Sequence, residues 1–184
     1  MAGRVIGLVV ITALFVTGIS GLRGVVISQE ASEYQVKAAF LYNFAKFIDW
    51  PTEAFKDDLA PVNLCILGTD PFGDTLNTIK DKTVKGRKLT LKRLYKLEDP
   101  GGCHILFISA SEKGNVKQII QSLKNSPVLT ISEGERFAHG GGMINFIIAE
   151  NKIQFEINLE AAQRAKLKIS SQLLKLAKLV TSEP

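Results

Sequence analysis

Short runs that are apolar at every position alternate along this chain with longer stretches of helical spacing. Ile105 to Ile108 is too short for a helix and polar nowhere, and Gly101-Gly102 leads into it. Such a run predicts a strand buried on both faces, as in a parallel sheet covered by helices. Ser109 lies three residues before Glu112, the capping-box spacing, so a helix is predicted to start at once and run from Ala110 to about Lys124. Its buried stripe would be Val116, Ile119, Ile120 and Leu123. Val62 to Leu67 reads as a second buried strand and Pro127 to Ile131 as another short strand, and Thr83 to Lys92 alternates more loosely around Val84, Leu89 and Leu91. After Gly68, Asp70 is positioned to cap a helix whose first residue is Pro71. A polar connection, Glu98 to Gly102, precedes the 105–108 strand.

From Ala31 to Asp49 the pattern is one amphipathic helix, with Val36, Phe40, Phe44 and Phe47 facing inward beside Leu41 and Ile48. Gln35, Tyr42, Lys46 and Asp49 form the polar stripe, and Trp50-Pro51 ends the helix because the residue before proline is pushed out of helical geometry. A two-residue turn at Glu150-Asn151 pairs Ile148 with Ile153, Phe146 with Phe155 and Ile144 with Ile157 on one face. A one-residue slip would turn Gln154 and Glu156 to that face, which specifies the register. Asn158 caps a short helix through Arg164; Ser170 caps a last one with Leu173, Leu174, Ala177 and Val180 inward, Lys175 and Lys178 outward. The fold class predicted is α/β: a single three-layer domain, residues 29–184, with a mixed, mostly parallel sheet, flanking helices and a C-terminal β-hairpin.

Composition adds an address. Arg4 is followed by a twelve-residue apolar core, Val5 to Val16, and then by small residues, too short a stretch to span a bilayer. Residues 1–28 read as a secretory signal cleaved after Val26-x-Ser28; an uncleaved anchor is the alternative, since apolar character resumes at Val25. Either reading places the rest of the chain outside the cytosol. Of the net charge of +5, Arg4 and Arg23 supply two, leaving +3 scattered over the remainder, which argues against nucleic acid as a partner. In an exported protein the two cysteines, Cys65 and Cys103, read as a disulfide; free buried thiols are the alternative.

Candidate chemistry is sparse. The spacing of Gly68 and Gly73 matches a phosphate-binding loop, but Asp74 stands where its lysine must be and would repel the phosphate. No nucleophile-elbow, zinc-protease or dinucleotide motif is present, and two histidines, His104 and His139, give no usual metal spacing. The reading is a non-enzyme without metal or cofactor. The loop from Ser132 to Gly142 is the most suggestive, because Arg136 and the run Gly140, Gly141 and Gly142 would let an anion approach; a plain hairpin lead-in is the alternative. With Gly68, Asp70 and Ser109 at strand ends, these residues outline a crevice for an anionic metabolite or nucleotide.

Five ordered segments carry a resemblance. They are Val36-Lys-Ala-Ala-Phe-Leu-Tyr-Asn-Phe-Ala-Lys-Phe-Ile-Asp-Trp-Pro51, Cys65-Ile-Leu-Gly-Thr-Asp-Pro-Phe-Gly73, Cys103-His-Ile-Leu-Phe-Ile-Ser109, Gly141-Gly-Met-Ile144 with Phe155-Glu-Ile-Asn158, and Ser170-Ser-Gln-Leu-Leu-Lys-Leu-Ala177. From about Tyr34 to Val180 the chain resembles the YfiR family of periplasmic proteins. The resemblance implies a negative regulator of cyclic di-GMP signalling and biofilm formation. Such a protein represses an inner-membrane diguanylate cyclase by binding its periplasmic part, and an outer-membrane lipoprotein relieves it. The best-studied type has a second cysteine pair nearer the C-terminus; this chain has two cysteines in all. A small-ligand sensor is the alternative function, and a homodimer stays open.

Overall fold

The computed structural model describes residues 29–96 and 102–183; the expected signal segment, 1–28, and most of the 98–102 connection lie outside them. Helix α1 (Gln29–Phe47) leads into the two-residue strand β1 (Ile48–Asp49). Then come β2 (Val62–Leu67), β3 (Thr83–Val84), β4 (Arg87–Leu94) and β5 (Ile105–Ile108). Helix α2 (Val116–Leu123), β6 (Leu129–Ser132), β7 (Ile144–Ala149) and β8 (Lys152–Asn158) follow. Helix α3 (Leu159–Arg164), β9 (Lys168–Ile169), α4 (Ser171–Leu174) and β10 (Lys178–Val180) complete the order. The main sheet runs β10-β8-β7-β6-β5-β2-β4-β3. Within it β4, β2, β5, β6 and β7 are mutually parallel neighbours, β8 is antiparallel to β7, and β3 is antiparallel to β4. This is the single α/β domain with a mixed, mostly parallel sheet that the pattern predicts.

Each of the central strands serves two cores. Alternate residues of β2 and β5, such as Leu64, Ile66, Ile105 and Phe107, face α1 and α3, while Cys65, Leu67, Leu106 and Ile108 face α2 and Phe137. Helices on both faces make three layers, and they explain why β5 has no polar position and β2 only Asn63. The hairpin register is as the sequence specifies, including Phe146 opposite Phe155 and Ile148 opposite Ile153. Its turn residues Glu150 and Asn151 both have positive φ, 51° and 58°, the type I′ geometry that matches strand twist. Phe44 of α1 packs edge-on to Phe155 at 5.0 Å and stacks on Phe146 at 5.7 Å, seating the helix over the hairpin's base.

Several boundaries differ from the sequence reading, each for a local reason. The inward face of α1 is Lys37, Ala38, Leu41, Phe44 and Ala45, continued by Ile48 of β1, and Val36 is 42% exposed. The small side chains Ala38 and Ala45 let this stripe approach the sheet, and Lys37 comes inside with it. The strand expected over 83–92 is broken into β3 and β4 by Lys85-Gly86, where both residues take positive φ. Asp70 Oδ1 accepts from the N–H groups of Phe72 and Gly73, as a cap would, but the turn it starts is a 3-10 segment, Gly73–Thr78. Ser109 Oγ accepts from Ser111 N–H rather than from Glu112, and the Glu112 carboxylate accepts from Asn115 Nδ2 at 2.9 Å. The capping box is therefore not formed; a 3-10 turn spans Ala110–Glu112 and α2 starts only at Val116, beyond Gly114. The final helix stops at Leu174, and Lys178–Val180 adds a strand parallel to β8 instead. That edge offers backbone pairing and an ion pair from Lys178 to Glu156, neither of which hydropathy spacing encodes.

Candidate functional site

Strand order fixes where functional groups collect: the ends of β5 and β6 and the loop from Glu133 to Gly142 that joins β6 to β7. The loop's glycines are shaped by packing. A Cβ on Gly142 would fall inside the Phe137 ring, and a Cβ on Gly141, where φ is 97°, would touch Ile120. Their amides are engaged within the loop. Gly140 N–H donates to Arg136 O at 2.8 Å, Gly141 to Ala138 O at 3.3 Å and Gly142 to Phe137 O at 3.0 Å. The loop thus holds Phe137 in the α2-side core and presents Arg136 and His139 at the surface.

Arg136 pairs with Glu183, and this contact holds the guanidinium above and the carboxyl below their ordinary titration ranges. Glu183 N–H donates to His139 O at 3.0 Å, and His139 Nδ1 lies 3.5 Å from the Glu183 carboxylate. A groove of about 830 Å³ runs between α2 and this loop, bringing Ser109, Arg136 and Gly140 together with Lys113 and Lys117. Gly68 and Asp70 lie apart from it. A Cβ on Gly68, where φ is 86°, would run into Ser111 Oγ, so the 109–112 turn closes directly over that strand end. Asp70 Oδ2 accepts from Arg93 Nε at 2.7 Å, tying the end of β4 to the turn after β2.

A second cleft, of about 630 Å³, lies on the other side of Arg136 and contains a cluster that hydropathy spacing does not show. Lys37, only 4% exposed, is ion-paired to both Glu33 and Glu133. The Tyr34 hydroxyl donates to Glu133 at 2.9 Å, and the ammonium sits 4.6 Å from the Tyr34 ring centre. A buried lysine needs such compensation, since removing a lone charge from water is costly. The one signal in the sequence is the i,i+4 spacing of Glu33 and Lys37; Glu133 is reachable only through the fold.

Cys65 and Cys103 form a disulfide with Cα atoms 5.9 Å apart. Next to it, His104 is enclosed. Its Nδ1 accepts from Asn63 N–H at 3.1 Å, which leaves Nε2, 3.0 Å from Ala54 O, as the protonated nitrogen. Phe55 stacks on the imidazole at 4.4 Å, and Arg87 lies over the far face of Phe55 at 3.9 Å. Burial pushes the His104 pKa down, so the ring is neutral at pH 7. His104 thus serves as a clamp on the 51–61 segment. Among the described residues no group of three or more His, Cys, Asp or Glu could hold a metal ion, and no helix is long and apolar enough to cross a membrane.

The family model for YfiR/HmsC-like proteins matches residues 34–178. The chain belongs to the YfiR/HmsC-like family. The match takes in the resemblance carried by the five sequence segments, and it contains Lys37, Glu133, Arg136, His139 and both cysteines. The YfiR/HmsC-like match ends at the first residue of β10, so Ser182 and Glu183, which fasten the chain to Asn158, Arg136 and His139, lie beyond it.

Proposed function

We propose that this protein is a periplasmic regulator that represses a membrane diguanylate cyclase by contact with the cyclase's periplasmic part, lowering cyclic di-GMP. The observation that carries the reading is membership of the YfiR/HmsC-like family over residues 34–178. The charged and apolar segment at residues 4–16 supports export, and the lack of catalytic motifs supports an output by binding. The edge strand β10 adds to this, since Leu179 within it and Leu176 just before it are exposed and an unpaired edge can accept a strand from another chain. An outer-membrane lipoprotein that sequesters the regulator would relieve the repression.

Deleting the gene should raise cyclic di-GMP and surface attachment, and the full-length chain should reverse both. A copy lacking residues 1–28 should fail, because it cannot reach a periplasmic partner. Unchanged cyclic di-GMP on deletion, or full complementation by the leaderless copy, would overturn the proposal.

A further inference from the structure

The groove between α2 and the 133–142 loop has an uneven chemistry. Lys113, Lys117 and Arg136 line it with Val116, Ile120 and Phe137, so cationic groups border an apolar wall. Glu183 lines it as well and meets Arg136 with its carboxylate. We propose that this groove binds a small organic anion through Arg136, and that Glu183 is an internal stand-in which the anion displaces.

Three observations support the assignment. First, the Arg136–Glu183 pair is about half exposed on both sides, so water screens it and an external carboxylate or phosphate can compete. Second, Glu183 is held there by its neighbours: its N–H donates to His139 O, and Asn158 Nδ2 donates to Ser182 Oγ at 2.9 Å. A tethered carboxylate acts at high effective concentration and lowers the apparent affinity of any free competitor. Third, displacing Glu183 leaves three cations against the single carboxylate of Glu135 in the groove, with room for a body that covers the apolar wall. The site would therefore take a carboxylate or phosphate on an apolar or aromatic group.

The same segment follows β10, which is joined to β8 over only three residues. Releasing Glu183 would loosen this edge strand, and binding in the groove would be felt at the rim of the sheet.

The test is calorimetric titration of the purified protein with phenyl phosphate and benzoate. Glu183→Gln, which removes the competing charge and keeps the shape, should tighten binding about fivefold, since it relieves an intramolecular competitor. Arg136→Ala should weaken binding by about tenfold in either background, as loss of a charge-assisted contact predicts. Hydrogen exchange at residues 178–180 should rise when phenyl phosphate is added to the wild type. Equal affinity of wild type and Glu183→Gln, undiminished binding by Arg136→Ala, or no binding to Glu183→Gln at millimolar concentration would each overturn the proposal. Because the isolated protein is titrated, this result is independent of whether the cyclase is the partner.

Discussion

The buried ammonium of Lys37 is paired with the carboxylate of Glu133, 96 residues further along the chain, and so fastens the start of α1 to the loop after β6. Replacing Lys37 by Met would leave Glu33 and Glu133 facing each other without a counter-charge. Loss of one member of a buried pair is strongly destabilising; with both glutamates partly exposed, about 2–3 kcal/mol is expected. Urea unfolding measures this, and adding Glu133→Gln to Lys37→Met should restore part of it. Additive losses in the double variant would show that the pair is not coupled.

Acid should weaken the fold through His104. Its folded-state pKa lies below that of an ordinary histidine, about 6.5, because burial disfavours the imidazolium. The unfolded chain therefore binds more protons as the pH falls, so this contribution is complete above about pH 6.5 and declines below it, through the lowered folded value. The urea midpoint of the wild type should fall between pH 7.5 and 5.5 by more than that of His104→Gln, which cannot take up a proton. Parallel pH profiles for the two proteins would refute this assignment.

The disulfide closes a loop with a sequence separation of 38 between Cys65 and Cys103. Chain entropy gives about 4 kcal/mol for such a loop. Reduction should lower the melting temperature by many degrees. Maleimide should label no thiol in protein purified without reductant and then unfolded, and labelling of two thiols there would contradict the pairing.

Gly142→Ala should be poorly tolerated although alanine differs by one methyl group. That methyl would occupy the space of the Phe137 ring, and overpacking typically costs about 1–3 kcal/mol. In combination with Phe137→Leu the penalty of the alanine should shrink, which a double-mutant cycle of unfolding free energies would register.

Elements defined by sequence-local physics were legible in advance. The β7–β8 register follows from alternation and a two-residue turn, and the largely apolar runs of β2 and β5 announce a sheet covered on both faces. Legibility failed where a contact from elsewhere decided the outcome. Hydropathy spacing counted Lys178 as the outer face of a helix; the free edge of β8 and Glu156 make it the start of a strand. Lys37 is buried only because the fold brings Glu133 to it. Arg136 was visible as an anion ligand, but Glu183, the carboxylate it meets, could be paired with it only in three dimensions.

Helix α1 emerges early in synthesis and finds some of its partners late. Its C-terminal end runs into β1, where Ile48 and Asp49 pair with Ile169 and Lys168, and its middle packs on Phe146 and Phe155. Until those distant segments have been made, Phe44 lacks the rings it packs on and Ile48 lacks its strand partner. Contacts of such long range slow folding, and an uncovered apolar helix invites aggregation. A chain made faster than these long-range contacts can form should therefore collect in inclusion bodies.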